Sequence, residues 1–281
     1  MREVRIAAAQ SAVSIDPAEN GTEIRALMRM AAAAGARLVH FPEGAVSGYA
    51  GQDKPHFRGW QIDWQPVGQQ LTSIAELAAE LGLWVVVGGN HRLTPPNRPH
   101  NSLYVISDRG VVDRYDKRLL SYSEVTDFYA PGSRPVVFEV GGFRFGLALC
   151  IEVNFPELFV EYRDRYDVDC MLFSTFSEDP VFEVIARGHA AACNLWLSIS
   201  VPAQCSPAMP AAVLAPNGSW LQRCPADGTS ALAVADLDRD DPALEIALNR
   251  ARPWRRTSRD GSICTAHHAD GDPRSTNRST F

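Results

Sequence analysis

The order of apolar and polar residues in the first third of the chain predicts strands that alternate with helices. Residues 4–9 form an apolar run typical of a strand. Asp16, Pro17 and Glu19 then supply an N-cap, a first-turn proline and the glutamate of a capping box. The helix that they begin carries apolar residues at helical spacing: Ile24, Leu27, Met28 and Ala31. We expect it to end near residue 34, because a glycine follows.

The rest of the chain continues this pattern and then adds hairpins. Strands are predicted at residues 38–41 and 84–89, with a helix over residues 71–81 between them. Short turns then join strands at residues 103–106, 111–115, 136–140 and 143–149. Helices at 156–166 and 180–194 are interleaved with strands at 168–173 and 195–201, and two last strands lie at 211–215 and 229–236. Helices mixed with hairpins predict an α/β sandwich whose sheets are covered by helices.

The composition changes only near the C-terminal end. No linker rich in proline, glycine or serine interrupts the chain earlier, so residues 1–254 are assigned to one domain with one continuous core. Residues 255–281 are a polar tail rich in arginine and serine. This tail is interpreted either as disordered or as an arm that packs on a partner subunit through Trp254. His267 and His268 are interpreted as a solvated pair and not as a metal site.

Composition and charge restrict the kinds of partner. The chain has 281 residues, of which 46% are hydrophobic and 21% charged, as in ordinary globular proteins. A net charge of −6 argues against a nucleic-acid partner, which would require a basic face. The N-terminus carries no signal-peptide pattern, and no apolar run is long enough for a membrane span. Six cysteines without a CxxC pair predict reduced thiols, a cytoplasmic location and no metal centre.

Three polar residues follow predicted strands directly and suggest a catalytic site. These are Glu43, Lys117 and Cys150. Functional groups of α/β proteins gather at the carboxyl ends of strands, where the loops open onto a crevice. A thiolate is a good nucleophile, an ammonium stabilises a developing oxyanion, and a carboxylate can accept and return the proton. The three residues therefore predict nucleophilic chemistry at a carbonyl carbon.

These residues lie in segments that resemble the three signature blocks of the nitrilase superfamily, the carbon–nitrogen hydrolases. The segments are HFPEGAVSGY, DRYDKRLLSYSEVTDFYAPG and GLALCIEVNFPEL. The resemblance runs in order over about residues 4–238. It implies that Glu43 is the general base, Lys117 the oxyanion-stabilising residue and Cys150 the nucleophile. It also implies that Glu124 orients the lysine and the substrate, that the fold is a four-layer αββα sandwich, and that the chain forms a homodimer or larger homo-oligomer without metal or organic cofactor.

The third block bears on the substrate class. The segment CIE matches neither branch fully, because Glu152 stands where amidase-type members commonly have aspartate. The FPE that follows does match the amidase branch. The sequence therefore favours a small amide or an N-carbamoyl compound as substrate. Attack by Cys150 would release ammonia or an amine and leave a thioester, which water activated by Glu43 would hydrolyse. Candidate substrate-binding residues are Tyr49, Ile151, Glu152 and Phe176, although an aromatic residue such as Tyr49 is equally typical of a core.

Three alternatives remain open at this point. A nitrile could replace the amide as substrate, since nitrilases proper have a glutamate in the position of Glu152, preceded by tryptophan. The chain could instead be a catalytically silent relative that serves as a binding or assembly subunit, although such a protein has no chemical need for the four polar residues. A Cys–His dyad of His189 and Cys193, four residues apart on a predicted helix, would imply a different mechanism.

Overall fold

The computed structural model describes residues 2–50 and 62–279, which contain twelve strands. In chain order these are β1 (Glu3–Ser11), β2 (Leu38–His40), β3 (Trp84–His91), β4 (His100–Ser107), β5 (Gly110–Asp116), β6 (Val137–Val140), β7 (Phe143–Leu149), β8 (Cys170–Ser174), β9 (Trp196–Pro202), β10 (Ala212–Leu214), β11 (Trp220–Arg223) and β12 (Ala231–Asp238). The strand β11 was not predicted. Its side chains are half-buried or exposed, and within the described residues it pairs with β10 alone. An edge strand of this kind has no buried face that would produce a period-two pattern in its sequence.

The same residues form seven α-helices and several shorter helical turns. The helices are α1 (Pro17–Ala33), α2 (Trp64–Leu81), α3 (Pro156–Tyr166), α4 (Val181–Cys193), α5 (Arg252–Asp260), α6 (Ser262–Ala266) and α7 (Pro273–Thr276). Turns of 3₁₀ helix lie at Cys150–Asn154, Ala203–Cys205 and Pro242–Leu244, and π-helical turns lie at Glu124–Phe128 and Ile246–Ala251. Among the described helices, none is both long and apolar enough to cross a membrane.

The strands belong to two sheets. The first sheet has the order β12-β1-β2-β3-β4-β5, with parallel pairing of β1, β2 and β3. The second sheet has the order β6-β7-β8-β9-β10-β11, with parallel pairing of β7, β8 and β9. They join where Gln10 and Ser11 of β1 pair with Val201 and Pro202 of β9. The parallel strands therefore lie at the centre of each sheet and the antiparallel pairs toward its edges.

The side-chain alternation of the strands shows that the two sheets pack face to face. In β3, Val86 belongs to the core that includes the second sheet, whereas Val85 and Val87 belong to the core formed with α1 and α2. The other face of the second sheet is covered by α3 and α4, through Phe159 and Ala186 among others. Successive residues of a strand point to opposite faces, so a strand buried on both faces is apolar throughout. The four-layer αββα sandwich is confirmed.

Local signals explain where the first two helices begin and end. The Asp16 carboxylate accepts a hydrogen bond from the Ala18 N–H at 2.8 Å, as an N-cap does, and α1 ends at the predicted place. The helix α2 begins earlier than predicted, because Asp63 caps the Gln65 N–H at 3.1 Å. Its first turns carry few apolar residues, so the hydrophobic pattern alone did not include them.

A histidine forms a polar contact between the sheets. His40, at the end of β2, is fully buried, with Nε2 2.6 Å from Ser174 Oγ and Nδ1 3.1 Å from Ser198 Oγ. Ser174 donates its only hydroxyl proton to the Phe41 carbonyl at 2.8 Å, so it must accept from His40 Nε2–H. Ser198 then donates to Nδ1. The ring is therefore neutral, and burial lowers its pKa to about 3.

The segment that follows residue 251 begins with a helix in the structure. This helix is α5, Arg252–Asp260, and its arginines contact the body of the domain. Arg252 donates to Asp169 at 2.9 Å, Arg255 to Asn194 at 2.9 Å and Arg259 to Asp164 at 2.6 Å. Arginines three or four residues apart share one helix face, so these three form a polar face that contacts the protein. The domain limit at residue 254 stays a prediction, since α5 runs across it.

Because His40 stays neutral when folded, we expect acid to destabilise the protein through it. Unfolded histidine has a pKa of about 6.5, so between that pH and about 3 the unfolded chain binds one proton more. The free energy of unfolding should then fall by about 1.4 kcal/mol per pH unit on acidification. Urea denaturation at pH 7 and 5 should show a smaller loss for His40→Asn than for the wild type. Equal losses would contradict the role assigned to His40, since other histidines are common to both proteins.

Candidate active site

Glu43 is placed by a close approach of two backbones. It follows β2 after Phe41 and Pro42, and the chain there passes directly over β3 at Gly88. A Cβ atom at Gly88 would lie 2.2 Å from the Pro42 carbonyl oxygen and 2.9 Å from the Glu43 Cα atom. A side chain at Gly88 cannot be accommodated, so glycine allows Glu43 to enter the space between the sheets.

Lys117 reaches the same space from the end of β5, the edge strand of the first sheet. It follows β5, and its backbone N–H donates to the Asn101 carbonyl at 2.8 Å. Since Ser102 pairs with Asp116 in the β4–β5 ladder, Asn101 lies opposite Lys117, with both side chains on the face toward the second sheet. Asn101 was not predicted. The register extended from the DRG turn would have placed His100 opposite Lys117, because a β-bulge between Val105 and Ile106 shifts the pairing by one residue.

The ammonium of Lys117 lies between two carboxylates. Its Nζ atom is 3.0 Å from Glu43 Oε1, 2.7 Å from Glu124 Oε1 and 2.9 Å from Glu124 Oε2. Asn101 Nδ2 donates to Glu43 Oε1 at 2.7 Å, and the Phe176 N–H donates to Glu43 Oε2 at 2.9 Å. Burial disfavours the charged ammonium, but the negative charges of Glu43 and Glu124 outweigh this effect and raise the pKa of Lys117. The lysine therefore stays protonated.

The two glutamates have opposite pKa shifts. Burial raises the pKa of Glu43 more than the charge of Lys117 lowers it. For Glu124, burial is outweighed by the ammonium and by the Ser121 N–H, which donates to Oε2 at 2.8 Å, so its pKa is lowered. The π-helical turn that begins at Glu124 directs its carboxylate to Lys117. Glu124 is thus held as an anion, whereas Glu43 is the carboxylate that gains a proton more readily.

Cys150 is the first residue of the 3₁₀ turn after β7. Its φ of 48° lies in the left-handed region, which residues with a side chain rarely adopt and which is often found at active sites. The residue is 8% exposed. Burial and the charge of Glu43 raise the pKa of the thiol to about 12, against the opposing effects of Lys117 and of the nearby Thr175 side chain. In this structure Cys150 is therefore a neutral thiol.

Thr175 is a second residue near the thiol that was not predicted. It directly follows β8, and Leu149 of β7 pairs with Ser174 of β8, so Cys150 and Thr175 leave adjacent strands at the same level. The next residue, Phe176, supplies the N–H that binds Glu43. The sequence carries no local signal for Thr175, because its position depends on the register between two strands that are separated by a helix.

The candidate substrate-binding residues lie in two different environments. Tyr49 and Phe176 stack, with ring centroids 5.3 Å apart, beside Glu43 and Glu124. Ile151 is half-buried directly after Cys150. Glu152 is fully buried, and its carboxylate binds groups of the protein on both sides of Lys117. Substrate binding by these residues stays a prediction.

The histidine of the alternative dyad has another partner. His189 Nε2 lies 2.7 Å from the Val153 carbonyl oxygen, which can only accept, so Nε2 carries the proton. Its ring stacks on Phe159 at 4.0 Å. The ring therefore packs α4 against α3 and the 3₁₀ turn, and nothing in this arrangement supports a dyad. All six cysteines lie in the described part of the chain as free thiols, and its His, Cys, Asp and Glu side chains form no group of three suited to a metal ion.

Comparison with known sequences identifies relatives of this chain. The family model for carbon-nitrogen hydrolases matches residues 5–243. A nitrilase from Pyrococcus abyssi is 29% identical over 145 residues, which cover 51% of this chain and 53% of that protein. An omega-amidase from Bos taurus is 24% identical over 260 residues, covering 85% of this chain and 91% of the relative. The chain thus matches about half the length of the first relative and most of the second.

Solved structures share the architecture. An amidase from Nesterenkonia sp. superposes with a TM-score of 0.73 at 22% sequence identity, covering 89% of this chain and 96% of that one. A variant of the amidase from Nesterenkonia sp. AN1 in complex with butyramide gives a TM-score of 0.74 at 21% identity, covering 94% and 97%. At this level of identity the likeness shows the fold.

The high pKa of Cys150 predicts how the thiol is alkylated. Below the pKa the thiolate fraction rises tenfold per pH unit, so the rate with iodoacetamide should rise about tenfold per unit from about pH 7 to 10. Mass spectrometry of digested protein would measure this rate at Cys150, with the exposed Cys264 as an internal control for the reagent. A rate at Cys150 that levels off below about pH 9 would contradict the assignment of a neutral resting thiol.

Proposed function

The chain belongs to the carbon–nitrogen hydrolase family, and we propose that it hydrolyses a small amide or N-carbamoyl compound through a thioester on Cys150. The observation that carries the proposal is the buried cluster in which Lys117 binds Glu43 and Glu124 next to the Cys150 thiol. It provides a nucleophile, a proton acceptor and a fixed positive charge in one place, as acyl transfer requires.

Glu43 is the proton acceptor in the proposed reaction. A thiol with a pKa of about 12 is a poor nucleophile at neutral pH, so its proton must leave as sulfur attacks. Glu124 is a weak base, because its oxygens are held by Lys117 and the Ser121 N–H and its pKa is lowered. Glu43 has a raised pKa and matches a base that gains and then returns a proton.

The remaining steps follow from charge and proton balance. The Cys150 sulfur bonds to the carbonyl carbon, and the oxygen gains negative charge beside the Lys117 ammonium. The C–N bond breaks as Glu43 returns the proton to the nitrogen, so ammonia or an amine leaves and a thioester remains. Glu43 next takes a proton from water, whose oxygen attacks the thioester, and the proton returns to sulfur as the acid leaves. Losing one oxyanion donor typically costs about 3 to 4 kcal/mol of transition-state stabilisation.

Two observations support an amide over a nitrile. The FPE that follows the nucleophile in this sequence resembles amidases. The omega-amidase aligns with most of this chain, whereas the nitrilase from Pyrococcus abyssi aligns with about half of it. A panel of amides, N-carbamoyl amino acids and nitriles tests the proposal directly through ammonia release.

We expect Cys150→Ala to abolish this ammonia release, because the thioester can no longer form. A loss of at least about 10³-fold in kcat is typical when a nucleophile is removed. Cys264→Ala is the matched control, since Cys264 is an exposed thiol on α6, and it should retain wild-type turnover. Turnover that survives in Cys150→Ala would exclude the mechanism, and wild-type turnover of nitriles but not amides would change the substrate class.

The chain is further proposed to form a homodimer or larger homo-oligomer. Val181 and Val184 of α4 and Trp254 of α5 are apolar side chains with 51%, 66% and 55% of their surface exposed. Association between copies would remove such surface from water. Light scattering after size-exclusion chromatography should give at least twice the mass of 30.8 kDa. A value near one chain mass at micromolar concentration would contradict this proposal.

A further inference from the structure

The carboxylate of Glu152 is surrounded by hydrogen-bond donors of the protein. Glu152 lies two residues after Cys150 and is fully buried. Its two oxygens accept from four groups: Tyr115 OH at 2.8 Å to each oxygen, the Arg118 N–H at 2.8 Å, the Leu119 N–H at 3.0 Å and the Leu149 N–H at 2.7 Å. These contacts use the lone pairs that a carboxylate offers, so little capacity is left for a substrate.

The donors lie on both sides of Lys117 and directly before Cys150. Tyr115 precedes Lys117 by two residues, and Arg118 and Leu119 follow it directly. Leu149 directly precedes Cys150. Since β5 belongs to the first sheet and β7 to the second, one side chain connects the chain around Lys117 with the chain around Cys150 across the sandwich.

The hydrogen bonds of Glu152 also bear on its charge state. Burial raises the pKa of this carboxyl, and the N–H groups of Leu119 and Leu149 oppose that effect. Three of its four partners are N–H groups that can only donate, so both oxygens must accept. These hydrogen bonds offset the free-energy cost of burying the carboxylate, which would be large without partners.

We propose that Glu152 is a positioning residue, which holds the Lys117 ammonium and the Cys150 thiol at the separation that the reaction needs. This inference rests on the proposed function and replaces the prediction that Glu152 contacts substrate. Lys117 Nζ is itself fixed by Glu43 and Glu124, so Glu152 acts on the backbone that carries the lysine and the cysteine. A misplacement of about 1 Å in an active site can cost about 10²-fold in rate.

Two variants test the role in different ways. Glu152→Gln replaces one acceptor oxygen by an NH₂ group, which must then face an N–H or O–H donor. Tyr115→Phe removes one donor from the same carboxylate and leaves every charge in place. Tyr115→Phe therefore tests the hydrogen-bonded contact alone, whereas Glu152→Gln also removes a negative charge. Glu157→Gln is the matched control, because Glu157 is an exposed glutamate in the first turn of α3.

The measurements are kcat and KM for an amide that the wild type hydrolyses, at temperatures where thermal unfolding shows each variant to be folded. We expect kcat to fall by about 10- to 100-fold in Glu152→Gln and by less in Tyr115→Phe, with KM within about threefold of the wild type. The double variant should lose less than the product of the single losses, since both residues act through one contact. Glu157→Gln should match the wild type.

Other results would overturn the proposal. A raised KM with unchanged kcat in Glu152→Gln, and no effect of Tyr115→Phe, would show a substrate contact instead. Unchanged kinetics in both would exclude any role in the reaction, and if Glu152→Gln does not fold, Tyr115→Phe decides alone. If the wild type hydrolyses neither an amide nor an N-carbamoyl compound, the proposed function fails, but the alkylation rate of Cys150 still tests positioning. That rate should drop at least about threefold in Tyr115→Phe and not in Glu157→Gln, because Lys117 stabilises the thiolate.

Discussion

The buried ion cluster of Lys117, Glu43 and Glu124 is the constraint to which the rest of the site is adapted. Charges removed from water are tolerated only with good geometry and additional hydrogen bonds, and removing one partner of a buried pair costs about 3 to 5 kcal/mol. Asn101, the Phe176 N–H and the Ser121 N–H supply those hydrogen bonds. Each comes from a different loop or strand, so the cluster also fixes where those segments meet.

The surroundings of each group decide its chemical role. Two carboxylates bind the same ammonium, yet the environment of Glu43 raises its pKa and that of Glu124 lowers its pKa. Two titratable groups whose pKa values are moved apart in this way can divide the work, one exchanging a proton and one remaining an anion. The neutral thiol of Cys150 completes the arrangement, and in the proposed reaction Glu43 accepts its proton.

The two sheets carry different parts of the site, so their relative position matters for the reaction. Glu43, Lys117 and Asn101 come from the first sheet or its loops, and Cys150 and Thr175 from the second. Apolar packing alone is not directional and would permit small shifts between the sheets. His40 and Glu152 add directional hydrogen bonds across the interface, near the ends of the strands that carry the catalytic groups.

The sequence by itself determined most of the secondary structure and the candidate catalytic residues. Apolar periodicity, caps and turn residues are local properties, and they predicted most strands and helices together with Glu43, Lys117 and Cys150 at strand ends. The tertiary structure alone showed the contacts of Asn101, the position of Thr175, the partners of Glu152 and the arginine-rich face of α5 against the domain. Those features depend on the register between strands and on the approach of segments distant in the chain. No local pattern encodes that approach, because it is the combined result of how all layers pack.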